Sequence, residues 1–435
     1  MPEREATTTA QTAPSVLKPL KVKFVITSLP VGGAETLLLN MVERFDNRVI
    51  SAEVVCLKDQ GELGPRFAEH VTVHDNLLGS KWDLRVLPRL RRLFDGTDAV
   101  ITVGAGDKMF WGRLAARLAG VDAICSALHS TGWPDGVGKL NRLLTPITDG
   151  FIAVAKQHAE HLAKYERFPK ERVHFIPNGV DTERFRPDAA ARADARKELG
   201  ISEDAPVVGI VAALREEKNH VQFVEAAAQV LQHVPRAHFV VVGDGPLRPA
   251  IEEAIQRHRV DQHFHLLGSR SDTPRLLAAM DVFCLTSKNE ANPVSIMEAL
   301  ACQVPAVAPA VGSVDETVKE GVTGFLTTPH SADATANAIL SILLDDGLAK
   351  RLGRSGRRLI QESWSLETMV GGYQDLIVNL VNAKRNTRGE PLFELPSEPA
   401  ELALPIQAFV ATATSIEDQL DQLSQLGASI DSPRA

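Results

Sequence analysis

The chain has 435 residues, with 47 Lys and Arg against 55 Asp and Glu, so its formal net charge is −8. This length predicts two large domains, and the 44% of hydrophobic residues can build their cores. The 23% of charged residues and the mild negative balance argue against a disordered chain and against a protein that binds nucleic acid through bulk charge.

Residues 1–20 come before the first strand pattern. They carry Glu3 and Glu5 among Ala, Thr and Pro, where a secretory signal needs a basic start and an apolar core. We therefore expect a disordered leader. No run reaches the roughly 18 apolar residues that spanning a bilayer needs, so we expect a soluble or peripheral protein.

Short β-branched runs alternate with helical patterns over residues 21–187. The strand patterns are VKFVIT, SAEVVCL, TDAVITV, DAICSAL and GFIAVA, and GGAETLLLNMVERF is the first helix. This alternation predicts a parallel sheet with crossover helices on both faces. A turn-rich stretch with Pro177 and Pro187 follows, so we place the domain boundary near residue 187.

The same rhythm returns over residues 188–363. Strand patterns occur at PVVGIVAAL, AHFVVVGDGP, HFHLLG, DVFCLTS, VPAVAPA and GFLT. The fold class is therefore α/β, with two doubly wound Rossmann-like domains that face each other across a cleft. Ligands of such folds lie outside the carboxyl ends of the strands.

Two segments follow the second domain. Residues 364–384 are predicted to form a helix that packs against either domain or crosses between them. Residues 385–435 are proline-rich and acidic and end in the amphipathic pattern ATSIEDQLDQLSQLGAS, so we expect a mostly flexible tail with a terminal helix.

The four cysteines lie far apart, in or beside apolar runs. They form no CxxC pair and have no His at ligand spacing, so we expect neither a structural zinc nor a disulfide framework. This usage fits a reducing compartment. The cysteines are Cys56, Cys125, Cys284 and Cys302.

The strongest chemical pattern is TSKNEANPVSIMEAL, which holds two glutamates eight residues apart. Glu290 lies in a loop after a strand, and Glu298 lies about one turn inside a helix, where it could accept the hydroxyls of a ribose. Between them, Asn292, Val294 and Ser295 offer backbone N–H groups at a helix start, which suits a phosphate. The alternative is that both glutamates are solvated or capping residues.

Two cations directly follow the first strand of the second domain, in VAALREEKNH. Arg215 and Lys218 there could hold a diphosphate and neutralise its charge as it departs. Alternatively, they are ordinary helix-start charges paired with Glu216 and Glu217.

Glycines follow a strand in each domain. Gly32 and Gly33 would let the backbone approach an anionic ligand, although the pattern is not GxGxxG and does not predict a dinucleotide site. Gly243 and Gly245 in VVGDGP could lie against a base or ribose, or form only a tight strand-to-helix connection.

His129 ends an apolar strand of the first domain, where it would point into the cleft. A lone histidine at such a place is either catalytic or structural.

Taken together and in this order, seven segments resemble the retaining glycosyltransferases of family 4, which have the GT-B fold. The likeness runs over roughly residues 22–380. The segments are GGAE, FIAVAKQHAEHL, IPNGVDTERFRP, VAALREEKNH, VVGDGP, NEANPVSIMEAL and GSVDETVKEGVTGFL.

The resemblance implies an acceptor domain followed by a nucleotide-sugar donor domain, and it implies roles for particular residues. Gly33 would approach the donor diphosphate, Lys218 and a neighbouring Arg would bind it, Glu290 would contact the transferred sugar, and Glu298 would hold the ribose. His129 would lie at the reacting centre.

Several positions depart from the family pattern. The Arg that many relatives carry is Ala213 here, so Arg215 would supply that charge from a shifted position. Ala291 and Gln303 stand where Gly is usual, and Ala155 stands where Ser is common.

The resemblance implies transfer with retention. Metal independence fits the sequence, since no DxD motif lies in a plausible metal-binding loop. Glu290 and His129 would position the sugar rather than form a covalent intermediate. No cofactor is expected. The partners would be a nucleotide sugar, for which UDP is the family's commonest nucleotide, and a sugar, polyol or lipid-linked acceptor used in cell-surface polysaccharide or glycolipid assembly.

Residues 81–94 form a basic amphipathic segment that could contact an anionic membrane, which would place a cytoplasmic protein at the inner face of the membrane. Pro88 interrupts the pattern, and a solvated helix is the alternative. The segment carries Lys81, Trp82, Arg85, Arg89, Arg92 and Phe94.

Other functions stay open from the sequence. They are a non-catalytic scaffold that keeps a nucleotide-sugar cleft, and another GT-B enzyme such as a sugar-nucleotide epimerase or a phosphorolytic enzyme. A nicotinamide dehydrogenase is disfavoured by the glycine pattern.

Overall fold

The computed structural model describes residues 18–79, 83–104, 108–128 and 142–396. Two parallel sheets form the body of the molecule, and both belong to one compact unit that ends at Phe393. The two-domain α/β architecture predicted from the alternating pattern is thereby confirmed.

The first domain carries a seven-stranded sheet in the order β3-β2-β1-β4-β5-β6-β7, in which all pairs are parallel. Its strands are β1 (Leu20–Ile26), β2 (Ile50–Cys56), β3 (Thr72–His74), β4 (Ala99–Val103), β5 (Ala123–Leu128), β6 (Gly150–Ala153) and β7 (Val173–Phe175).

The second domain carries a six-stranded sheet in the order β10-β9-β8-β11-β12-β13, again with parallel pairs. In both sheets the strand order reverses beside the first strand, at β1 and β4 and at β8 and β11, where doubly wound folds bind ligands. The strands are β8 (Val207–Val211), β9 (His238–Val242), β10 (Phe264–Leu266), β11 (Val282–Cys284), β12 (Ala306–Pro309) and β13 (Gly324–Thr327).

Helices connect the strands on both faces of each sheet. In the first domain they are α1 (Gly33–Val42), α2 (Gly64–Ala68), α3 (Val86–Leu93), α4 (Lys108–Ala119) and α5 (Lys156–Lys164). In the rest of the described chain they are α6 (Ala189–Glu198), α7 (His220–His233), α8 (Arg248–His258), α9 (Thr273–Ala278), α10 (Val294–Ala301), α11 (Ala332–Leu343), α12 (Asp346–Ser363) and α13 (Leu366–Arg388).

The central strands are buried on both faces, which explains why they read as continuous apolar runs. Every residue of β4 and of β5 is buried. Such burial is what crossover helices on both sides of a parallel sheet produce. The edge strands β3 and β7 have three residues each, none of them buried, and the sequence analysis did not predict them.

The chain crosses between the domains twice, and the two crossings lie side by side. Val180 donates its N–H to the carbonyl of Trp364 at 2.9 Å and accepts from the N–H of Leu366 at 3.0 Å. Ile176 packs in the first core, whereas Val180 and Phe185 pack in the second. The core packing therefore places the first crossing a few residues before the predicted boundary at residue 187.

The long last helix, α13, packs on the first domain. Its apolar residues, among them Tyr373 and Ile377, belong to the core cluster of β1 and β2. Near its end, Arg385 pairs with Asp98 at 2.8 Å. The helix reaches Arg388, so it extends beyond residue 384, where the sequence suggested that the tail begins.

Candidate active site

The predicted donor-binding residues of the second domain lie at the carboxyl ends of its strands. The segment with Arg215 and Lys218 follows β8, Gly243 follows β9, and Glu290 follows β11. Gly312 follows β12 at the same edge of the sheet. Parallel strands bring these segments together, because their carboxyl ends meet at one edge.

Lys218 and Glu290 form the centre of this group. The ammonium of Lys218 lies 2.5 Å from Oε1 of Glu290, and the hydroxyl of Ser287 donates to the same oxygen at 2.6 Å. The side chains of both ion-pair partners are largely shielded from solvent. Such charge-assisted contacts are short and hold their partners in one geometry.

Arg215 is exposed, and its side chain forms no hydrogen bond or ion pair with any residue that the structure describes. It begins a short 3-10 turn over Glu216–Lys218, three positions before Lys218. A cation at this place is available to an anionic ligand at the same strand edge.

The segment after β12 rests against the backbone of Glu290. Gly312 has φ +52, and a Cβ atom there would lie 1.7 Å from the carbonyl oxygen of Glu290. The N–H of Ser313 points at the same oxygen from 3.4 Å. Only glycine fits this position, for reasons of both space and backbone conformation.

Helix α10 begins where the phosphate site was predicted. Its N-cap is Pro293, which has no group that could cap the helix, and Val294 and Ser295 are half-buried at its start. Asn292 is 8% exposed and accepts through Oδ1 from Nδ2 of Asn178 at 3.2 Å, a contact between the two domains. Nδ2 of Asn292 is buried and bonds to no group in the described ranges.

Glu298 lies on α10 and is half-buried. Burial raises the pKa of its carboxyl to about 7, and Arg184 lowers it in part. None of the residues that the structure describes donates a hydrogen bond to this carboxylate. The described part of the fold therefore does not use the carboxylate as a hydrogen-bond acceptor.

The glycines of the two domains lie in different surroundings. Gly32 is the N-cap of α1, and Gly33 is exposed and has nothing within 4 Å of the position that a Cβ would take. Gly243 has φ +140, and a Cβ there would lie 2.0 Å from the carbonyl oxygen of Ala212. The packing alone explains Gly243, whereas it leaves Gly33 unexplained.

His129, the predicted residue of the reacting centre in the first domain, lies outside the described residues. The same holds for Lys81 and Trp82 of the basic amphipathic segment. Of the predicted site residues, the structure brings Lys218 and Glu290 into direct contact.

Three residues of the group were not assigned from the sequence. Asn178 stands in the quoted segment IPNGVDTERFRP, Ser287 follows the strand of Glu290 directly, and Gly312 opens GSVDETV. The one sequence signal for Ser287 and Gly312 is that each follows a strand. Their contacts with Glu290 form between loops that are distant in sequence.

A cavity of about 570 Å³ lies at the opposite edge of the second sheet. Its lining includes Pro206, Asp281 and Pro305, which come just before β8, β11 and β12. These are the amino ends of the strands, so the cavity is separate from the predicted donor site.

In the described part of the chain, no three His, Cys, Asp or Glu side chains are grouped so that they could hold a metal ion. None of the helices in that part is long and apolar enough to cross a bilayer.

Two family models match successive parts of the chain. The model described as Glycosyltransferase Family 4 matches residues 31–184, and the model described as Glycosyl transferases group 1 matches residues 191–359. Together these stretches cover about three quarters of the chain.

Curated relatives carry related descriptions. A UDP-Gal:alpha-D-GlcNAc-diphosphoundecaprenol alpha-1,3-galactosyltransferase of Escherichia coli is 29% identical over 282 residues, which are 62% of this chain and 72% of the relative. A GDP-mannose-dependent alpha-(1-6)-phosphatidylinositol monomannoside mannosyltransferase of Mycobacterium tuberculosis is 28% identical over 303 residues. These residues are 66% of this chain and 78% of the relative.

Solved structures share the fold. The crystal structure of Anabaena HepE in complex with UDP superposes with a TM-score of 0.74 at 23% identity and covers 83% of this chain and 100% of that one. The crystal structure of a glycosyltransferase from Rickettsia africae superposes with a TM-score of 0.75 at 17% identity and covers 84% of this chain and 99% of that one.

Proposed function

Because this chain belongs to the family 4, group 1 glycosyltransferases and has their GT-B fold, we propose that it transfers a sugar from a UDP-sugar to an acceptor hydroxyl. The transfer retains the configuration at the anomeric carbon and needs no metal ion. The acceptor is a sugar, polyol or lipid-linked sugar used to build a cell-surface polysaccharide or glycolipid.

The contact between Lys218 and Glu290 is the observation that carries this proposal. A cation suited to a diphosphate and a carboxylate suited to sugar hydroxyls lie 2.5 Å apart at the carboxyl ends of β8 and β11. The bond that joins a sugar to a diphosphate would therefore lie beside both groups. Helix α10 adds N-terminal N–H groups for the phosphates.

In the proposed reaction, the bond between the anomeric carbon and the diphosphate oxygen breaks as the acceptor oxygen bonds to that carbon from the same face. The acceptor proton passes to the departing phosphate oxygen. Lys218, Arg215 and the N-terminus of α10 stabilise the charge that develops on the diphosphate. Glu290, held by Ser287, and His129 orient the sugar.

Support for the donor comes from the relatives. HepE was crystallised with UDP and with UDP-glucose, and the name of the E. coli relative includes UDP-Gal. The mycobacterial relative is GDP-mannose-dependent, so the nucleotide needs a direct test. Both relatives make alpha linkages, and a donor with an α-linked sugar gives an α product only by retention.

The test begins with thermal shifts against UDP, GDP, ADP and NAD, in EDTA and then in magnesium. A ligand at a hundredfold excess over its Kd stabilises the folded state by about 2.7 kcal/mol. We expect a shift with UDP in EDTA. Transfer from UDP-sugars is then followed by NMR, which shows the anomeric configuration of the product.

Lys218→Ala is the decisive variant, with Lys288→Ala as its matched control. Lys288 lies near Lys218 in the fold but is exposed and pairs with Glu216 at 3.1 Å. Loss of the leaving-group contact lowers kcat by roughly 10²–10³-fold, whereas Lys288→Ala leaves it within a few-fold. Equal activity of the two variants contradicts the proposed role of Lys218.

Other outcomes point to the alternatives. Nucleotide binding without consumption of any donor indicates the scaffold. Consumption of the donor with inorganic phosphate, or conversion of the donor sugar without an acceptor, indicates a phosphorolytic enzyme or an epimerase. Strict dependence on magnesium contradicts metal independence.

Membrane contact through residues 81–94 stays a prediction, as does a cytoplasmic location. Within this segment, α3 buries Val86 and Leu90 and leaves a basic surface exposed. Phe94, which was expected to face a membrane, is instead buried in the same core cluster, so it cannot contact lipid. Co-sedimentation with anionic but not with neutral vesicles would support the contact, and equal binding to both would contradict it. The exposed cations are Arg85, Arg89, Arg91 and Arg92.

A further inference from the structure

Helix α5 of the first domain begins without a capping side chain of its own. Its N-cap is Ala155, whose methyl group accepts no hydrogen bond. Alanine is among the poorest residues for this position, because the first N–H groups of a helix then lack a local partner.

A carboxylate from the second domain takes the place of the missing cap. Glu316 accepts from the N–H of Lys156 through Oε2 at 3.0 Å and from the N–H of Gln157 through Oε1 at 2.9 Å. Both oxygens of one side chain thus meet two successive N–H groups. Negative charge at a helix N-terminus is stabilised by the helix dipole.

A second contact joins the same two segments. The side-chain amide of Gln157 donates to both carboxylate oxygens of Asp315 at 2.9 Å. Asp315 and Glu316 lie between β12 and β13, so their partners on α5 belong to the other domain. We call these contacts of Asp315 and Glu316 with α5 the cross-domain cap.

The segment that carries the cross-domain cap also supports Glu290. Gly312 and Ser313, three positions before Asp315 and Glu316, rest on the carbonyl of Glu290. The position of α5 is therefore linked through about five residues of one segment to the carboxylate that is proposed to orient the sugar. A short segment packed at both ends transmits displacement rather than absorbing it.

We propose that Glu316 is a positioning residue that couples the contact between the two domains to the placement of Glu290. The part of this inference that concerns Glu290 rests on the proposed function. Breaking the cross-domain cap lowers the turnover number and leaves nucleotide binding nearly unchanged, since the side chains proposed to hold the nucleotide, Arg215, Lys218 and Glu298, all belong to the second domain.

The first arm of the test compares Glu316→Ala with Glu320→Ala. Glu320 is exposed and accepts the N–H of Leu326 at 2.7 Å, so its carboxylate also caps a backbone group, but within one domain. We expect kcat to fall about tenfold in Glu316→Ala, with the Kd for UDP within twofold of wild type. Glu320→Ala changes neither value.

The second arm separates positioning from simple helix capping. Ala155→Asp supplies a local carboxylate cap to α5. In the double variant Ala155→Asp with Glu316→Ala, we expect hydrogen exchange at the start of α5 to regain its protection while kcat stays low. Full recovery of kcat in the double variant overturns the proposal, because the cap would then serve only helix stability.

Two results for Glu316→Ala test the positioning role separately from the proposed glycosyltransferase activity. A kcat within twofold of wild type in Glu316→Ala overturns the inference and leaves the glycosyltransferase activity standing. If the wild type transfers no sugar, hydrogen exchange at the start of α5 still tests the contact between Glu316 and this helix. In that case, unchanged protection of α5 in Glu316→Ala overturns the cross-domain cap, and loss of protection supports it.

Discussion

Two glycine-containing turns, one in each domain, follow a buried strand and precede a helix, yet glycine is there for different reasons. In the second domain, Gly243 has φ +140 and its Cα faces the carbonyl of Ala212, which leaves no room for a side chain. In the first domain, Gly33 is the first residue of α1 and has open space where a Cβ would stand.

The difference separates what the fold needs from what a ligand needs. A glycine that packs against backbone is explained by the protein alone. A glycine in a helix with space around it weakens the fold by about 0.5–1 kcal/mol relative to alanine and is explained only by something that approaches it. The space at Gly33 is therefore stronger support for a ligand than the packing at Gly243.

Gly243→Ala tests the structural side of this comparison and carries the largest expected effect. The new methyl group overlaps the carbonyl of Ala212, and the backbone conformation is strained for any side chain, so we expect a loss of at least about 3 kcal/mol in stability. Thermal unfolding measures this loss of stability, and we expect the Tm of the variant to lie several degrees below that of wild type. A variant as stable as wild type would show that the turn can move.

Glu298→Gln extends the comparison to charge. The folded protein holds the proton of Glu298 up to about pH 7, whereas the unfolded chain releases it near its ordinary pKa of 4.5. Stability is therefore lost as pH rises between about 4.5 and 7, because the folded state binds more protons. With its half-burial taken into account, the charge costs about 1–2 kcal/mol at pH 8.

The variant is therefore expected to raise Tm at pH 8 and to leave it unchanged near pH 4.5. If the carboxylate holds a ribose, the same variant weakens UDP binding about tenfold or more, since hydrogen bonds to a charged group contribute about 1.5–3 kcal/mol. Glu253→Gln, at an exposed helix pair, is the control. A Tm difference that is the same at both pH values contradicts the burial argument.

The fold could be predicted from the sequence because its central strands are apolar on both faces and alternate with helices. The edge strands β3 and β7 were not predicted, since each has only three residues, none of them buried. The equally short edge strand β10 was predicted because Leu267 extends its apolar run. Gln303 shows another limit. It has φ +61, a backbone conformation that glycine adopts freely, so this chain meets the backbone requirement with a strained residue.

The candidate site divides in the same way. Lys218, Glu290 and Glu298 could be placed because residues that follow parallel strands gather at one edge of the sheet. The contact of Asn178 with Asn292 joins residues 114 positions apart, and the cap of α5 by Glu316 spans the two domains. Such contacts depend on how loops from distant segments pack together, and the hydrophobic periodicity of the sequence does not indicate this packing.

Gly33→Ala has the smallest expected effect and separates the two kinds of glycine most sharply, because its two consequences have opposite signs. Alanine suits the first turn of α1, so we expect stability to rise by about 0.5–1 kcal/mol. The same methyl group would occupy the space that the donor diphosphate is proposed to use. We therefore expect UDP to bind about tenfold more weakly, a difference of about 1.4 kcal/mol.

Both values come from one set of thermal-shift titrations, in which the Tm without ligand reports stability and its dependence on UDP reports Kd. A higher Tm with weaker binding assigns Gly33 to the ligand. A higher Tm with unchanged binding would move the diphosphate away from α1 and leave donor recognition to the second domain alone. A lower Tm would show that the fold itself needs Gly33, as it needs Gly243, and the contrast between the two turns would then fail.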